Sequence, residues 1–160
     1  MFTSPSKAFN LASVHLANCF ISNKELREKY RKIAGDSCAA ENSAFVEPVL
    51  IAAYDKSEEW LDELNEYIEG NLEFFVDYVN REIPDLEVRK PEGTYLVWVN
   101  FEKTGILKEN IKEYLLKECK VAVNEGEFFG KEGAGFVRFN LACPRSSIKV
   151  VLEKLKEKFA

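Results

Sequence analysis

The stretch from Ser57 to Ile83 restricts the fold more than any other. Trp60, Leu61, Leu64, Tyr67, Ile68, Leu72, Phe75, Val76, Val79 and Ile83 recur at spacings of three and four, which draws one broad apolar stripe along a helix. Ser57 is a good N-cap, and Glu58 and Glu59 suit the positive end of the helix dipole. Gly70 costs such a helix about 1 kcal/mol relative to Ala and marks a place for a bend. Pro84 ends it. A helix this long and this one-sided needs a surface to cover, so the stripe is read as a core face.

The surface follows directly. From Leu86 the periodicity drops from that of a helix to that of strands. Leu86 to Arg89 reads as a short strand. Tyr95 to Phe101 reads as a stronger one, with Tyr95, Val97, Val99 and Phe101 on one face and Leu96 and Trp98 on the other, expected to be central and covered on both sides. A helix from about Lys108 to Cys119 has Ile111, Tyr114 and Leu115 inward, and Val121 to Val123 reads as a brief strand. Gly126 to Gly135 is a glycine-rich loop carrying Phe128 and Phe129. It contains no Gly-x-Gly-x-x-Gly after a strand, which excludes a nucleotide loop. In Phe136 to Ala142, Val137, Phe139 and Leu141 alternate with Phe136, Arg138 and Asn140, so Arg138 is a charge on a strand, solvent-facing on this pattern alone. Arg145 stands at a helix start. The last helix, from Ser146 to Phe159, turns Ile148, Val151, Leu152, Leu155 and Phe159 inward.

Upstream of the long helix the pattern is weaker. Val14 to Ile21 is a short apolar run read as a buried strand, and His15 within it as a structural or solvent-facing residue. Asn23 caps a helix over Lys24 to Ile33, with Leu26, Tyr30 and Ile33 on one face and Gly35 as the stop. After a polar break comes an apolar helix from about Ala44 to Tyr54, in which Pro48 means a first-turn position or a kink.

Composition limits the function classes. A net charge of −5 argues against a broad nucleic-acid footprint. No run of eighteen apolar residues exists to span a membrane, and Met1-Phe2-Thr3 leads into no basic-then-apolar pattern, so no signal peptide is expected here. Cys19, Cys38, Cys119 and Cys143 are widely spaced, and with one histidine they make a metal site improbable. Reduced core thiols in a cytoplasmic protein are the expected reading.

Chemistry concentrates near the start, in Ser4-Pro5-Ser6-Lys7-Ala8-Phe9-Asn10-Leu11-Ala12. Lysine condenses with an aldehyde to a Schiff base, and a low-dielectric setting makes its neutral amine available. This segment resembles the lysine segment of pyridoxal-phosphate enzymes of fold type I, more narrowly the cystathionine β-lyase/cystalysin branch of the class I/II aminotransferases. Two later stretches agree with that branch in order: Pro91-Glu92-Gly93-Thr94-Tyr95-Leu96-Val97-Trp98-Val99-Asn100-Phe101, and Gly126-Glu127-Phe128-Phe129-Gly130 continuing through Gly135-Phe136-Val137-Arg138-Phe139-Asn140-Leu141-Ala142-Cys143-Pro144-Arg145-Ser146. Ser13 departs from the pattern, where the branch usually has Gly.

The resemblance implies an α/β fold. Residues 58–160 would be the small C-terminal domain of such an enzyme, a mostly antiparallel sheet covered by helices, and residues 1–57 a remnant of the large domain that carries the Schiff-base lysine. It implies that Lys7 is catalytic and binds pyridoxal 5'-phosphate together with Ser4 and Ser6, and that Arg138 grips the carboxylate of an amino-acid substrate. In this family the lysine lies past the middle of the polypeptide, so the chain is expected to be the C-terminal part of an enzyme, a carbon–sulfur β-lyase or an aminotransferase, inactive on its own. Its expected partners are a second copy or an N-terminal half, with no nucleic acid and no membrane. The alternative from another class is a non-catalytic folded module that self-associates or complements a separate N-terminal half.

Overall fold

A computed structural model describes residues 1–37 and 43–160. The chain divides into two compact units, Met1–Leu64 and Asn65–Ala160, with the division falling inside the long helix. Cys38 lies outside the described residues.

In the first unit a two-stranded antiparallel ribbon pairs β1 (Phe2–Thr3) with β2 (Asn18–Cys19). The buried strand expected over Val14 to Ile21 is absent. Ala12–Val14 forms a 3-10 turn that ends on His15 in the left-handed region at φ 53°, and only Asn18 and Cys19 pair. The run is half-buried at best, because an apolar segment makes a buried strand only where neighbours supply hydrogen bonds and cover. Helix α1 (Lys24–Asp36) starts on Asn23, whose side chain accepts from the Leu26 amide, and passes through Gly35 to end on Ser37. Helix α2 (Val46–Lys56) holds Pro48 in its first turn, where the missing N–H costs nothing.

Helix α3 (Glu58–Glu82) follows after a single residue. Ser57 opens it through its carbonyl, which accepts from the Leu61 amide, while its hydroxyl turns back to the Ala52 carbonyl at 3.4 Å instead of capping. The C-terminal part of the stripe is buried as expected: Leu72, Phe75, Val76 and Val79 enter the core. Trp60 and Tyr67 do not; both are exposed, because periodicity marks a face without saying what covers it.

The second unit is built on a four-stranded antiparallel sheet in the order β3-β4-β6-β5, with β3 (Glu87–Val88), β4 (Leu96–Asn100), β5 (Asn124–Glu125) and β6 (Phe136–Asn140). β4 is central, as its alternation predicts, but within this unit only one of its faces is covered: Val97 and Val99 are fully buried, whereas Trp98 on the other face is exposed. The strand expected at Val121 to Val123 forms three residues later, at Asn124, because the chain turns at Lys120 (φ 56°) and β6 offers its partners at Arg138 and Val137. The expected helix from Lys108 to Cys119 is segmented into a 3-10 turn (Lys108–Asn110), a short α4 (Ile111–Tyr114) and a wider π turn (Leu115–Cys119). Helix α5 (Arg145–Phe159) closes the unit and buries Ile148, Leu152, Leu155 and Phe159. These side chains join the α3 residues, Ile111, Leu115, Val97, Val99, Val137 and Phe139 in one continuous core, with Phe75 tilted on Phe139 at 5.5 Å.

Gly70 sits where α3 meets the Arg145 side chain. A Cβ there would stand 2.5 Å from Arg145 Nη2, so the glycine makes room for a guanidinium.

Candidate functional site

Each unit carries one of the two residues on which the sequence places chemistry. In the first, Lys7 lies in a tight turn held by Phe9 N donating to the Pro5 carbonyl at 3.0 Å and Leu11 N to the Ser6 carbonyl at 2.9 Å. Pro5 is buried and Phe9 half-buried, while the Lys7 side chain is exposed. Phe9 stacks on Trp60 with centroids 6.5 Å apart and meets Tyr54 edge-on at 5.6 Å, which fixes the far end of the turn against aromatic side chains.

The hydroxyls of the serines beside Lys7 are bonded to their own neighbourhood, although Ser4 itself is exposed. Ser4 Oγ donates to the Leu16 carbonyl at 2.6 Å and accepts the Ser6 amide at 3.2 Å. Since the Ser4 proton is committed to Leu16, the 2.5 Å contact between the two hydroxyls makes Ser6 the donor. Both protons are therefore already used, one within the turn and one on the Leu16 carbonyl beyond it. The amine of Lys7 fits the aldehyde of a cofactor, whereas Ser4 and Ser6 would reach a phosphate only by giving up these internal bonds. His15 is exposed at the end of the following 3-10 turn.

In the second unit Arg138 occupies the middle of β6, between Trp98 of β4 and Asn124 of β5 by cross-strand register. It is half-buried rather than solvent-facing. Its Nη2 donates to Asn124 Oδ1 at 3.1 Å, and the guanidinium lies 4.2 Å from the centroid of the Phe129 ring. Its Nε is buried and has no hydrogen-bond partner among the described residues. A buried donor left without a partner is costly, of order 1–3 kcal/mol, so the group is held in place but not satisfied. The sequence could place Arg138 on a strand but not find Phe129 and Asn124, which arrive from other elements.

Phe129 is delivered by the loop after β5, folded as two 3-10 turns, Gly126–Phe129 and Lys131–Gly133. A Cβ on Gly126 would run into the carbonyl oxygen of Gly133, and one on Gly133 into that of Gly126. The two ends thus touch backbone to backbone, which only glycine permits. Phe129 then meets Trp98 edge-on at 5.5 Å, and Phe128, at 82% exposure, forms the tip.

The three free thiols described differ in setting. Cys119 is buried and Cys19 and Cys143 half-buried, and burial pushes the Cys119 and Cys143 thiols above their ordinary range, so neither is poised as a nucleophile. Among the described residues no helix is long and apolar enough to cross a membrane, and no group of three His, Cys, Asp or Glu side chains could hold a metal ion.

A lysine turn, then an antiparallel sheet with helices on one face, and an arginine in the middle of its last strand stand in that order along the chain. Residues 1–155 match the family "Aminotransferase class I and II", and the chain belongs to that family. It is similar to protein MalY of Escherichia coli, with 34% identity over 150 residues, covering 93% of this chain and 38% of that protein. It is similar also to the cystathionine beta-lyase PatB of Bacillus subtilis, 31% identical over 153 residues, covering 96% of this chain and 40% of the other. Among solved structures it superposes on cystalysin of Treponema denticola, which contains a pyridoxal 5'-phosphate cofactor, with a TM-score of 0.93, 30% identity and coverage of 98% of this chain and 40% of that one. The chain therefore spans about two fifths of the length of these relatives. Its fold is that of part of a fold type I pyridoxal-phosphate enzyme.

Proposed function

We propose that this chain is the C-terminal part of a pyridoxal-phosphate enzyme acting on amino acids, a carbon–sulfur β-lyase of the cystathionine type or an aminotransferase. In this reading Lys7 holds the cofactor through its amine, with Ser4 and Ser6 beside it, and Arg138 holds the substrate carboxylate. The observation that carries it is the state of Arg138: a guanidinium fixed by Asn124 and Phe129 whose Nε has no partner among the described residues. A planar guanidinium matches a carboxylate, and a strand fixes its direction. Lys7, exposed on its turn, would take the proton from the substrate's Cα. The bound cofactor would supply an electron sink at that carbon.

The second reading is a non-catalytic module that associates with itself or with a separate N-terminal half. It is favoured by Phe20, Phe45, Ile51 and Tyr54, large apolar side chains left exposed in the first unit. Either arrangement belongs in the cytoplasm, where Cys19, Cys119 and Cys143 stay reduced.

The two are separated by titrating the purified chain with pyridoxal phosphate and following its near-ultraviolet and visible absorbance, beside Lys7→Ala. A saturable change absent from the variant supports the enzyme reading and leads to assays with cystathionine and with amino-acid/keto-acid pairs. An identical response in both proteins removes Lys7 from its role and leaves the module.

A further inference from the structure

We propose that Trp98, Phe129 and Phe136 wall a side-chain subsite beside Arg138. It receives the uncharged, apolar side chain of an α-amino acid, and Glu132 at its rim turns acidic side chains away. The inference rests on the reading of Arg138 as the carboxylate-binding group and adds the class of side chain that goes with it.

Three relationships place the subsite. The β4–β6 register sets Trp98 directly opposite Arg138, so both project from the face of the sheet that the helices leave open. Phe136 precedes Arg138 by two residues on β6 and shares that face, roughly 7 Å away along the strand. Phe129 comes from the neighbouring loop and touches both sides: its ring covers the guanidinium at 4.2 Å and meets Trp98 edge-on at 5.5 Å. Trp98 is also edge-on to Phe136 at 6.5 Å.

These rings bound a groove of about 310 Å³, whose remaining lining is Gly130, Glu132 and Gly133. That volume suits a side chain of a few carbons, at the small end of ligand pockets. The lining decides the chemistry. The glycines leave the floor open, the three aromatics supply apolar surface, and no lining residue is a cation. A second carboxylate on the ligand would find no partner in the groove and would meet Glu132, whose like charge disfavours it; cystathionine, which carries one at its far end, is disfavoured with it, so the groove fits the aminotransferase side of the proposed function. Each methylene buried there tightens binding roughly four-fold.

The test uses the full chain labelled with 15N and titrated with L-alanine, L-norleucine and L-glutamate. The chain has two tryptophans, so the Trp98 indole N–H is assigned against Trp60 with Trp98→Phe, and the Arg138 Nε–H with Arg138→Lys. The expected result is that all three amino acids move the Arg138 resonance and only norleucine also moves the Trp98 indole, with glutamate at least ten-fold weaker than norleucine. Glu132→Gln, an exposed position, should narrow that gap. If Arg138 responds equally to all three while Trp98 stays silent, the subsite is overturned and the carboxylate role stands. Silence at both resonances overturns the two together. A Trp98 response without one at Arg138 also overturns the proposal, since the anchor is then missing.

Discussion

The Nε of Arg145 donates to Oδ1 of Asn71 at 3.0 Å, joining two residues 74 positions apart. Asn71 is fully buried, and its amide nitrogen donates to the carbonyls of Leu141 and Cys143, each at 3.0 Å. One carboxamide thus ties α3 both to the end of β6 and to the start of α5. Asn71→Ala would leave two carbonyls and part of a guanidinium without partners, and each such group costs about 1–3 kcal/mol. The expected loss is about 3 kcal/mol by urea denaturation. Asn71→Asp, which keeps the acceptor for Arg145 but not the two donors, should be nearly as damaging. A loss under roughly 0.5 kcal/mol for either would show that the tie carries no weight.

Gly126→Ala tests the closed loop. The added methyl meets the Gly133 carbonyl, which is backbone and has nowhere to go. The loop must open, and overpacking of this kind costs about 1–3 kcal/mol. The Phe129 ring should lose its fixed position over Arg138, seen as a change in the Arg138 Nε–H resonance. Gly35→Ala, where a Cβ meets nothing within 4 Å, is the control and should be harmless.

Acid should weaken the link between α3 and α5. Lys156 donates to Glu82 at 2.7 Å, and Arg81 shares the same carboxylate. The hydrogen bond from Lys156, then that from Arg81, holds the Glu82 carboxyl below its ordinary value of 4.5, while Glu82 holds the Lys156 ammonium above its ordinary 10.5. A lowered acid contributes above its unfolded value and loses that contribution as pH falls through its folded value. A raised ammonium contributes below its unfolded value and loses it as pH rises through its folded one. Wild type and Lys156→Met should therefore differ in stability by a constant amount between those limits and converge beyond them. The difference should shrink with added salt, because the pair is solvated. A constant difference down to the lowest pH would refute the assignment.

Thr94 holds a φ of 71°, a left-handed conformation that costs a β-branched residue about 1–2 kcal/mol. Thr94→Gly should raise the thermal midpoint, by about 1 kcal/mol of stability once the extra freedom of the unfolded glycine is set against the relieved strain. A lower midpoint would mean that Thr94 makes compensating contacts.

What could be read from the sequence followed the length of each element. α3, α5, β4 and β6 repeat their pattern often enough to declare both type and face, and their inward residues from Phe75 to Phe159 are buried accordingly, with Val151 half-buried at the edge of the core. β1, β2, β3 and β5 are two residues each, too short for any period, so their pairing is set by neighbours. At the candidate site, Lys7 and Arg138 stood out by residue type and context. The internal bonding of the Ser4 and Ser6 hydroxyls did not, since it depends on the Leu16 carbonyl arriving from twelve residues away. Nor did the Phe129 ring over Arg138, which exists only once the loop closes.

That closure separates what the loop carries from what holds it. Because Gly126 and Gly133 meet through their main chains, the strands on either side are fixed regardless of the residues strung between them. The segment from 127 to 132 is in effect an exchangeable cassette: its side chains can be rewritten to recognise a different molecule while the backbone of β6 at Arg138 stays in place and only the ring over the guanidinium changes.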